Sequence, residues 1–337
     1  MNTFNQHDII YPQFSLNDDI AVNKHAKCCW LHQANDLVSR IYYKAIDCGM
    51  IGNSYPQYPY LGQQADYEEL STLVSTQPFT GQLIERTSTL FIEIFMEVLD
   101  QFKHISDKKN LTHFIFRRLI ATFDTVSFKR RLKEMYALHE INTSSLLCYV
   151  NDLRAAYRKL MVIRLDLYAD WAMYDPRNLP ECWEAMLKRI RNQYPSFAGY
   201  VLKFEFGQDR GVHLHTLLFL NGSEVRQDVV IARALGELWI SIPPQGVGSY
   251  HNANAHHYKS RMQNIAVGII YGESDSFDAG MYAIASYMAK SDPIVLLALP
   301  QLHRTIRHGA LNGEQKLKMA RRKNLASIPA SIFLRHP

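Results

Sequence analysis

The segment YVLKFEFGQDRGVHLHTLLFLN, residues 200–221, gives the strongest indication of the fold, because it has the pattern of two strands joined by a tight turn. Strand-like apolar runs flank GQDRG, and Gly and Asp in so short a link are typical of a β-hairpin. If the strands pair symmetrically about Asp209, then Glu205 lies directly opposite His213, barring a bulge that would turn Glu205 to the other face. We therefore expect an antiparallel hairpin here.

The segments around this hairpin predict an α+β fold. MVIRLDLYA, residues 161–169, alternates as a strand with Ile163 on its apolar side and Asp166 on the other. The order that follows is helix, the hairpin, helix, strand and helix, with a loop expected over residues 246–257. This order predicts an antiparallel sheet covered on one side by helices.

The first half of the chain has a different pattern. Residues 81–102 repeat apolar residues at three- and four-residue intervals, which predicts a helix, and the next segments continue in that style. We expect a mainly helical domain of unknown role over residues 1–142. A second domain with a basic C-terminal tail is expected over residues 143–337. Seven Lys/Arg against one acid in residues 301–323 fit either a phosphate-contacting tail or a solvated helix face.

Composition limits the class of protein. The chain has 337 residues with 47% hydrophobic and 20% charged residues, so a largely folded protein is expected. The net charge of +5 is compatible with a nucleic-acid partner without being diagnostic of one. Five scattered cysteines without zinc spacing fit a reducing compartment. The start lacks a signal-peptide pattern and the apolar run Ile294–Leu299 is too short for a bilayer span, so a cytoplasmic protein without a membrane partner is expected.

His213 and His215 are separated by one residue on a predicted strand, so their side chains point to the same face. Two imidazoles placed in this way can converge on one cation, and Glu205 would supply a third ligand from the paired strand. The mixed nitrogen and oxygen donors suit Mg²⁺ or Mn²⁺ as well as Zn²⁺. Fourteen histidines in the chain make one such pair weak evidence by itself.

A predicted helix later in the chain adds a nucleophile. Tyr287 and Lys290, in YMAK, are three residues apart and are expected on one helix face. A tyrosine hydroxyl is a covalent nucleophile when its phenolate is stabilised, and a nearby lysine supplies the required charge. Taken alone, the two residues also fit a buried tyrosine and a lysine that extends to solvent.

Six segments in order give the chain a family resemblance. They are VIRLDLY, FEFGQDRGVHLHTLLF, LGELWISI, GVGSYHNANA, YMAKSD and RTIRHG, and they span roughly residues 145–310. In these segments the chain resembles the HUH endonuclease superfamily. It is most similar to the YagK/YfjJ group, which includes replication endonucleases of filamentous phages and their prophage relatives.

The resemblance implies a role for each motif residue. It implies an HUH fold in which His213 and His215 are ligands of a divalent metal, with Glu205 as the third ligand. Tyr287 would be the nucleophile and Lys290 its helper. Other positions follow from the same motifs: Asp166 would orient a ligand or DNA, and Arg304 and Arg307 would contact phosphates. The YMAK helix has one tyrosine rather than the four-apart pair of some phage initiators, which leaves a two-tyrosine relay in doubt.

The function implied by this family is initiation of rolling-circle replication. Such an enzyme nicks and rejoins single-stranded or hairpin origin DNA through a 5′-phosphotyrosine, with Mg²⁺ or Mn²⁺ as cofactor. The basic helices of the first half suggest duplex DNA or a host replication protein as a further partner. Two alternatives stay open. One is a non-catalytic DNA-binding replication regulator that keeps the fold, and the other is a metal hydrolase that attacks with water.

Overall fold

The computed structural model describes residues 16–48, 51, 64–76, 89–102, 104–105, 107–272 and 274–326. The first half of the chain is helical, as expected, in the part described. Its helices are α1 (Leu16–Asp47), α2 (Gln64–Ser75), α3 (Leu90–Gln101), α4 (Lys108–Phe123) and α5 (Val126–Ala156). The predicted helix over residues 81–102 is confirmed as α3, while its first part, residues 81–88, lies outside the described residues.

Two of these helices begin at threonines that cap them. The Thr89 hydroxyl accepts a hydrogen bond from the Ile92 N–H, and the Thr125 hydroxyl accepts one from the Phe128 N–H. Each bond satisfies a backbone donor that the first helical turn leaves without an intrahelical partner. Phe95 and other apolar side chains then close the helical core.

The second half contains a six-stranded antiparallel sheet, which confirms the α+β class. Its strands are β1 (Lys159–Ala169), β2 (Phe197–Gly207), β3 (Gly211–Asn221), β4 (Gly248–Asn252), β5 (Gly268–Tyr271) and β6 (Ile306–His308). The order is β4-β1-β3-β2-β6, and β5 also pairs with β1. The expectation of a loop over residues 246–257 was wrong in part, because residues 248–252 pair with the edge of β1 as β4.

Helices cover both faces of this sheet, so the expectation of cover on one side was wrong. The helices of this half are α6 (Leu179–Gln193), α7 (Asp228–Ile240), α8 (His256–Lys259), α9 (Asp275–Ala289), α10 (Pro293–Ala298) and α11 (Gly313–Ala326). On one face Ile163 packs in a core with Trp183 of α6, and on the other Val162 packs in a core with helices α5 and α9. The polar residues that opposed the apolar side of β1 in the alternation occupy the second half of the strand, whereas Leu160 and Val162 make the first half of the same face apolar.

Helix α5 runs through both halves of the chain. The predicted boundary at residues 142 and 143 falls inside it. Its first part buries Phe128 in the core that also contains the N-terminal helices, and its last part buries Leu153 against the sheet. At the hairpin, His25 of α1 stacks on Trp171 with ring centroids 3.6 Å apart. The helical half therefore packs directly beside the β2–β3 hairpin.

The basic segment over residues 301–323 includes β6 and most of α11, and side chains after residue 320 lie outside the described part. The apolar run Ile294–Leu299 lies largely in α10, a helix of six residues. No helix among the described residues combines the length and apolarity that a bilayer span requires. The N-terminal residues used for the signal-peptide expectation also lie outside the description.

Candidate active site

Pairing of β1, β3 and β2 places five polar residues on one sheet face. Glu205 lies opposite His213, which confirms the register expected from the turn. His215 lies between Lys203 of β2 and Asp166 of β1, its partners in the two ladders. Opposed residues share a face, so this face presents Asp166, His215, His213, Lys203 and Glu205 together.

The turn that sets this register depends on Gly211. This residue has a φ of +61°, in the left-handed region that residues with a Cβ atom rarely adopt. A Cβ atom at this position would also lie 2.8 Å from Trp171 Cβ. Glycine is therefore required at Gly211 both by the backbone conformation and by the close approach of Trp171.

The donor atoms of His213, His215 and Glu205 form a candidate metal centre. His213 Nε2 lies 3.2 Å from His215 Nε2, and Glu205 Oε2 lies 2.5 Å from His215 Nε2. All three donor atoms lie within 4.8 Å of one another. Two imidazole nitrogens and a carboxylate oxygen that converge in this way fit a metal ion.

The second nitrogen of each imidazole has its own partner. His213 Nδ1 lies 3.1 Å from the Gly211 carbonyl oxygen, and His215 Nδ1 lies 2.6 Å from Asp166 Oδ1. Both partners are acceptors, so each Nδ1 carries a hydrogen, and Nε2 is the nitrogen of each ring that faces the other donor atoms of the cluster. This hydrogen-bonded arrangement orients both rings and is the one that metal-binding histidines require.

Asp166 holds His215 and a further histidine, His251. Its second oxygen, Oδ2, lies 3.3 Å from His251 Nδ1, and Arg164 Nε lies 3.9 Å from Oδ1. Burial opposes ionisation, but the hydrogen bonds from His215 and His251 outweigh it and hold the pKa of Asp166 well below its ordinary value. Asp166 is 7% exposed and is thus placed to orient His215. His251 was missed because β4 was interpreted as a loop.

Helix α9 places Tyr287 beside the cluster of His213, His215 and Glu205. The helix begins at Ser274, whose hydroxyl accepts a hydrogen bond from the Phe277 N–H, and it buries one apolar face on the sheet. This packing places Tyr287, in the last turn, over the histidine pair. Its hydroxyl donates a hydrogen bond of 2.6 Å to Glu205 Oε2 and lies 3.3 Å from His215 Nε2. Tyr287 is 36% exposed, so its hydroxyl stands at the rim of the cluster.

The site holds the phenol in its neutral form and the carboxylate in its ionised form. Burial and the hydrogen bond to Glu205 raise the pKa of Tyr287 above its ordinary value. For Glu205, burial opposes ionisation, but the hydrogen bond with His215 and the charge of Lys203 outweigh it and hold the pKa low. Neutralising the Glu205 charge would therefore favour the phenolate of Tyr287.

The pKa values of the two histidines are shifted in opposite directions. Burial, with the charge of His215, lowers the pKa of His213 to about 4. Burial also disfavours the charged form of His215, but hydrogen bonds with Asp166 and Glu205 outweigh it and raise its pKa. His213 is thus neutral over a wide pH range, whereas His215 retains its second proton more strongly than an ordinary histidine.

Lys203, which sequence reasoning missed, lies beneath the tyrosine. Its ammonium lies 3.3 Å from Glu205 Oε1 and 4.6 Å from the centroid of the Tyr287 ring. Burial lowers the pKa of Lys203, and the charges of Glu205 and Asp292 oppose that shift. The sequence did contain a signal for this position. Lys203 and Glu205 are two residues apart on one strand, so their side chains lie on the same face of the sheet.

The expected helper, Lys290, is placed differently. It is the C-cap of α9, with an extended ψ of 122°, and its side chain is exposed. Among the described residues, its ammonium makes no hydrogen bond or ion pair that would join it to Tyr287. The assumption that Lys290 continues the helix was wrong, because α9 ends at Ala289.

The two arginines lie outside the cluster. Arg304 is exposed and lines a pocket of about 400 Å³ between α5 and residues 291–308. Arg307 lies opposite Leu202 on β6, so it belongs to the sheet face away from His215, and its guanidinium is 4.0 Å from Glu184. Five predicted site residues therefore meet at one point, namely Asp166, Glu205, His213, His215 and Tyr287, whereas Lys290, Arg304 and Arg307 do not.

Comparisons with protein-family models, with curated proteins and with solved structures find no match to this chain. The side chains and their geometry are therefore what bears on function.

Proposed function

We propose that the chain initiates rolling-circle replication as a metal-dependent tyrosine endonuclease that nicks and rejoins single-stranded DNA at an origin. The observation that supports this most is the position of the Tyr287 hydroxyl. It lies 3.3 Å from His215 Nε2 and is hydrogen-bonded to Glu205 Oε2, so a nucleophile and three metal-ligand candidates share one point. A tyrosine nucleophile beside such a donor set suits phosphodiester transfer.

In this reaction, Tyr287 Oη attacks the phosphorus of a phosphodiester and the bond from phosphorus to the 3′ oxygen breaks. The phenol gives up its proton, the departing 3′ oxygen takes one up, and the products are a 5′-phosphotyrosine and a free 3′-OH. The 3′-OH primes synthesis. Attack by a 3′-OH on the phosphotyrosine later rejoins the strand, and no ATP is needed because the protein link conserves the bond energy.

The residues around Tyr287 divide the remaining work. His213, His215 and Glu205 would hold Mg²⁺ or Mn²⁺, which when bound polarises the phosphate that is attacked. Asp166 and the Gly211 carbonyl fix the two imidazoles by their Nδ1 hydrogen bonds. The site is thus organised before substrate arrives, which is what electrostatic catalysis requires.

Origin DNA is the proposed substrate, either single-stranded or as a hairpin. The net charge of +5 is compatible with an anionic partner, and the pocket at Arg304 also includes His303 and His308, with no carboxylate among the described residues that line it. A cytoplasmic location and host replication proteins as partners belong to the same proposal.

The proposed function is tested by whether the protein forms a covalent adduct with DNA. Purified protein with Mn²⁺ and single-stranded oligonucleotides from the cognate replicon should give a protein–DNA species that survives SDS. Tyr287→Phe should abolish it. Tyr282→Phe is the matched control, since Tyr282 lies on the same helix, is 50% exposed and lines a different pocket.

Each alternative function has its own outcome in this assay. Binding without cleavage by wild-type protein would favour a non-catalytic regulator. Hydrolysed DNA without an adduct, unchanged in Tyr287→Phe, would favour a hydrolase that attacks with water. An adduct that persists in Tyr287→Phe would exclude Tyr287 as the nucleophile.

A further inference from the structure

Lys203 is a lysine in an unusual environment. It lies in the middle of β2, on the face that carries Glu205, and its side chain is 2% exposed. Lysine is almost never buried to this extent without partners, because an ammonium removed from water loses its hydration. The contacts that compensate Lys203 should therefore reveal what it does.

The first contact is to Glu205 and concerns only one of its oxygens. Lys203 Nζ lies 3.3 Å from Oε1, while Oε2 accepts the hydrogen bond from Tyr287 and lies against His215 Nε2. The ammonium thus holds one carboxylate oxygen and leaves the other turned toward the histidines. Lys203 and Tyr287 therefore bind different oxygens of the same carboxylate.

The second contact is to the nucleophile's own residue. Lys203 Nζ lies 3.4 Å from the main-chain carbonyl oxygen of Tyr287 and 4.6 Å from the centroid of its ring. This carbonyl also accepts the Lys290 N–H at 3.4 Å, and it lies in the last turn of α9, where the negative end of the helix dipole favours a cation. A cation near an aromatic ring also restrains the ring by cation–π attraction.

We infer that Lys203 is a positioning residue that sets the Tyr287 hydroxyl against the metal-ligand cluster by joining the end of α9 to Glu205. This inference rests on the proposed function. The cation that contacts Tyr287 is thus Lys203 rather than Lys290, the helper implied by the resemblance, whose exposed ammonium makes no such contact among the described residues.

The experiment compares neutral and charged replacements of Lys203. Lys203→Met removes the charge and keeps an unbranched chain, and Lys203→Arg keeps the charge. The single-turnover rate of adduct formation at saturating DNA and Mn²⁺ should fall about 10²-fold in Lys203→Met, the cost of a small misplacement of a reacting group. Lys203→Arg should recover at least part of that loss.

A second readout separates positioning from a role in folding. Mn²⁺ affinity of DNA-free Lys203→Met should equal or exceed that of wild type, because a positive charge beside Glu205 has been removed. A loss of adduct rate and of Mn²⁺ affinity together would indicate a disordered site and overturn the inference. An adduct rate close to wild type in Lys203→Met would overturn it as well.

Lys159→Met is the matched control. Lys159 also lies over a tyrosine ring, 4.9 Å from the centroid of Tyr271, at the far end of β1. Its adduct rate and Mn²⁺ affinity should match wild type. Lys203→Gln, whose amide still donates hydrogen bonds, is the second neutral variant if Lys203→Met does not fold. Failure of both to fold would make Lys203 a determinant of the fold and overturn the positioning role.

A DNA-free measurement keeps this inference separate from the proposed function. Fluorotyrosine placed at position 287 should give a single fluorine resonance in wild type that shifts or broadens in Lys203→Met. An unchanged resonance would exclude positioning by Lys203 whether or not DNA is cleaved. Absence of any adduct from wild-type protein would instead count against the proposed function.

Discussion

Tyr287 and Glu205 share a hydrogen bond of 2.6 Å, from the phenol hydroxyl to Oε2, and His215 Nε2 lies 2.5 Å from that same oxygen. One carboxylate oxygen thus serves the candidate nucleophile and faces the candidate metal ligands. The Glu205 charge raises the pKa of Tyr287, so a cation held by Glu205 and the histidines would favour the phenolate. Metal binding and activation of Tyr287 are therefore expected to be coupled through Glu205.

Mn²⁺ should stabilise the folded protein through this cluster. A ligand that binds only the native state stabilises it by about 2.7 kcal/mol at a hundred times its Kd, so the thermal midpoint should rise with Mn²⁺ and return on chelation. The double variant His213→Ala/His215→Ala should lose the Mn²⁺-dependent shift. His257→Ala, an exposed histidine of α8, should keep it. An equal shift in the double variant would place the metal elsewhere.

Asp166→Asn should weaken metal binding without abolishing it. Asp166 accepts the Nδ1 hydrogen of His215 at 2.6 Å, and loss of its charge reduces both the orientation and the basicity of that imidazole. Replacing such a supporting carboxylate typically costs about 10- to 100-fold in metal affinity, which calorimetry with Mn²⁺ can measure. Asp170→Asn, an exposed carboxylate just after β1, is the control. Unchanged affinity in Asp166→Asn would show that His215 is oriented without it.

Mn²⁺ affinity should also depend on pH, with a sign set by the two histidines. His215 has a raised pKa and retains its second proton near pH 6, whereas His213, with a pKa of about 4, is already neutral there. Metal binding must displace the His215 proton, so affinity should rise with pH through the pKa of His215 and then level off.

Near pH 6, about one proton should be released for each Mn²⁺ bound, because only His215 carries one to lose. Calorimetry in two buffers with different ionisation enthalpies measures that number. Release of two protons would mean that His213 is also charged in the metal-free protein. In Asp166→Asn the pKa of His215 should fall, and the affinity curve should move to lower pH.

Much of the hairpin site was predictable because strand geometry leaves few choices. Period-two alternation puts His213 and His215 on one face, and the short turn about Asp209 fixes Glu205 opposite His213. The helix with Tyr287 was also predictable, from its small and aromatic residues. Its position over His215 was not, since helices cover both sheet faces and the sequence had predicted cover on one side only.

The features that sequence reasoning missed depend on tertiary context. Strand β4 is five residues long and contains Gly248 and Asn252, which are typical of turns, so its strand character comes from pairing with the edge of β1. His251 was missed with it. Lys203 was overlooked because lysine is ordinarily exposed, and only the approach of Glu205 and the end of α9 makes its burial tolerable.

Gly199→Ala tests the packing of α5 on the sheet, away from the chemistry. A Cβ at position 199 would lie 2.1 Å from Tyr149 Oη, so this side chain must move. Tyr149 is 5% exposed, and its oxygen accepts a hydrogen bond from the Tyr200 N–H at 3.3 Å. Burial raises the pKa of Tyr149 to about 12, so its phenol stays neutral below that pH.

We expect Gly199→Ala to lower the free energy of unfolding by about 1–3 kcal/mol, the usual cost of overpacking, as measured by urea denaturation. Gly313→Ala is the control, because no described residue lies within 4 Å of its added Cβ and alanine is a better helix former than glycine. Equal stability of Gly199→Ala and wild type would mean that α5 can move away from β2. Gly199 lies near the start of β2, whereas Glu205 lies near its end. Mn²⁺ affinity should therefore stay at the wild-type value while stability falls.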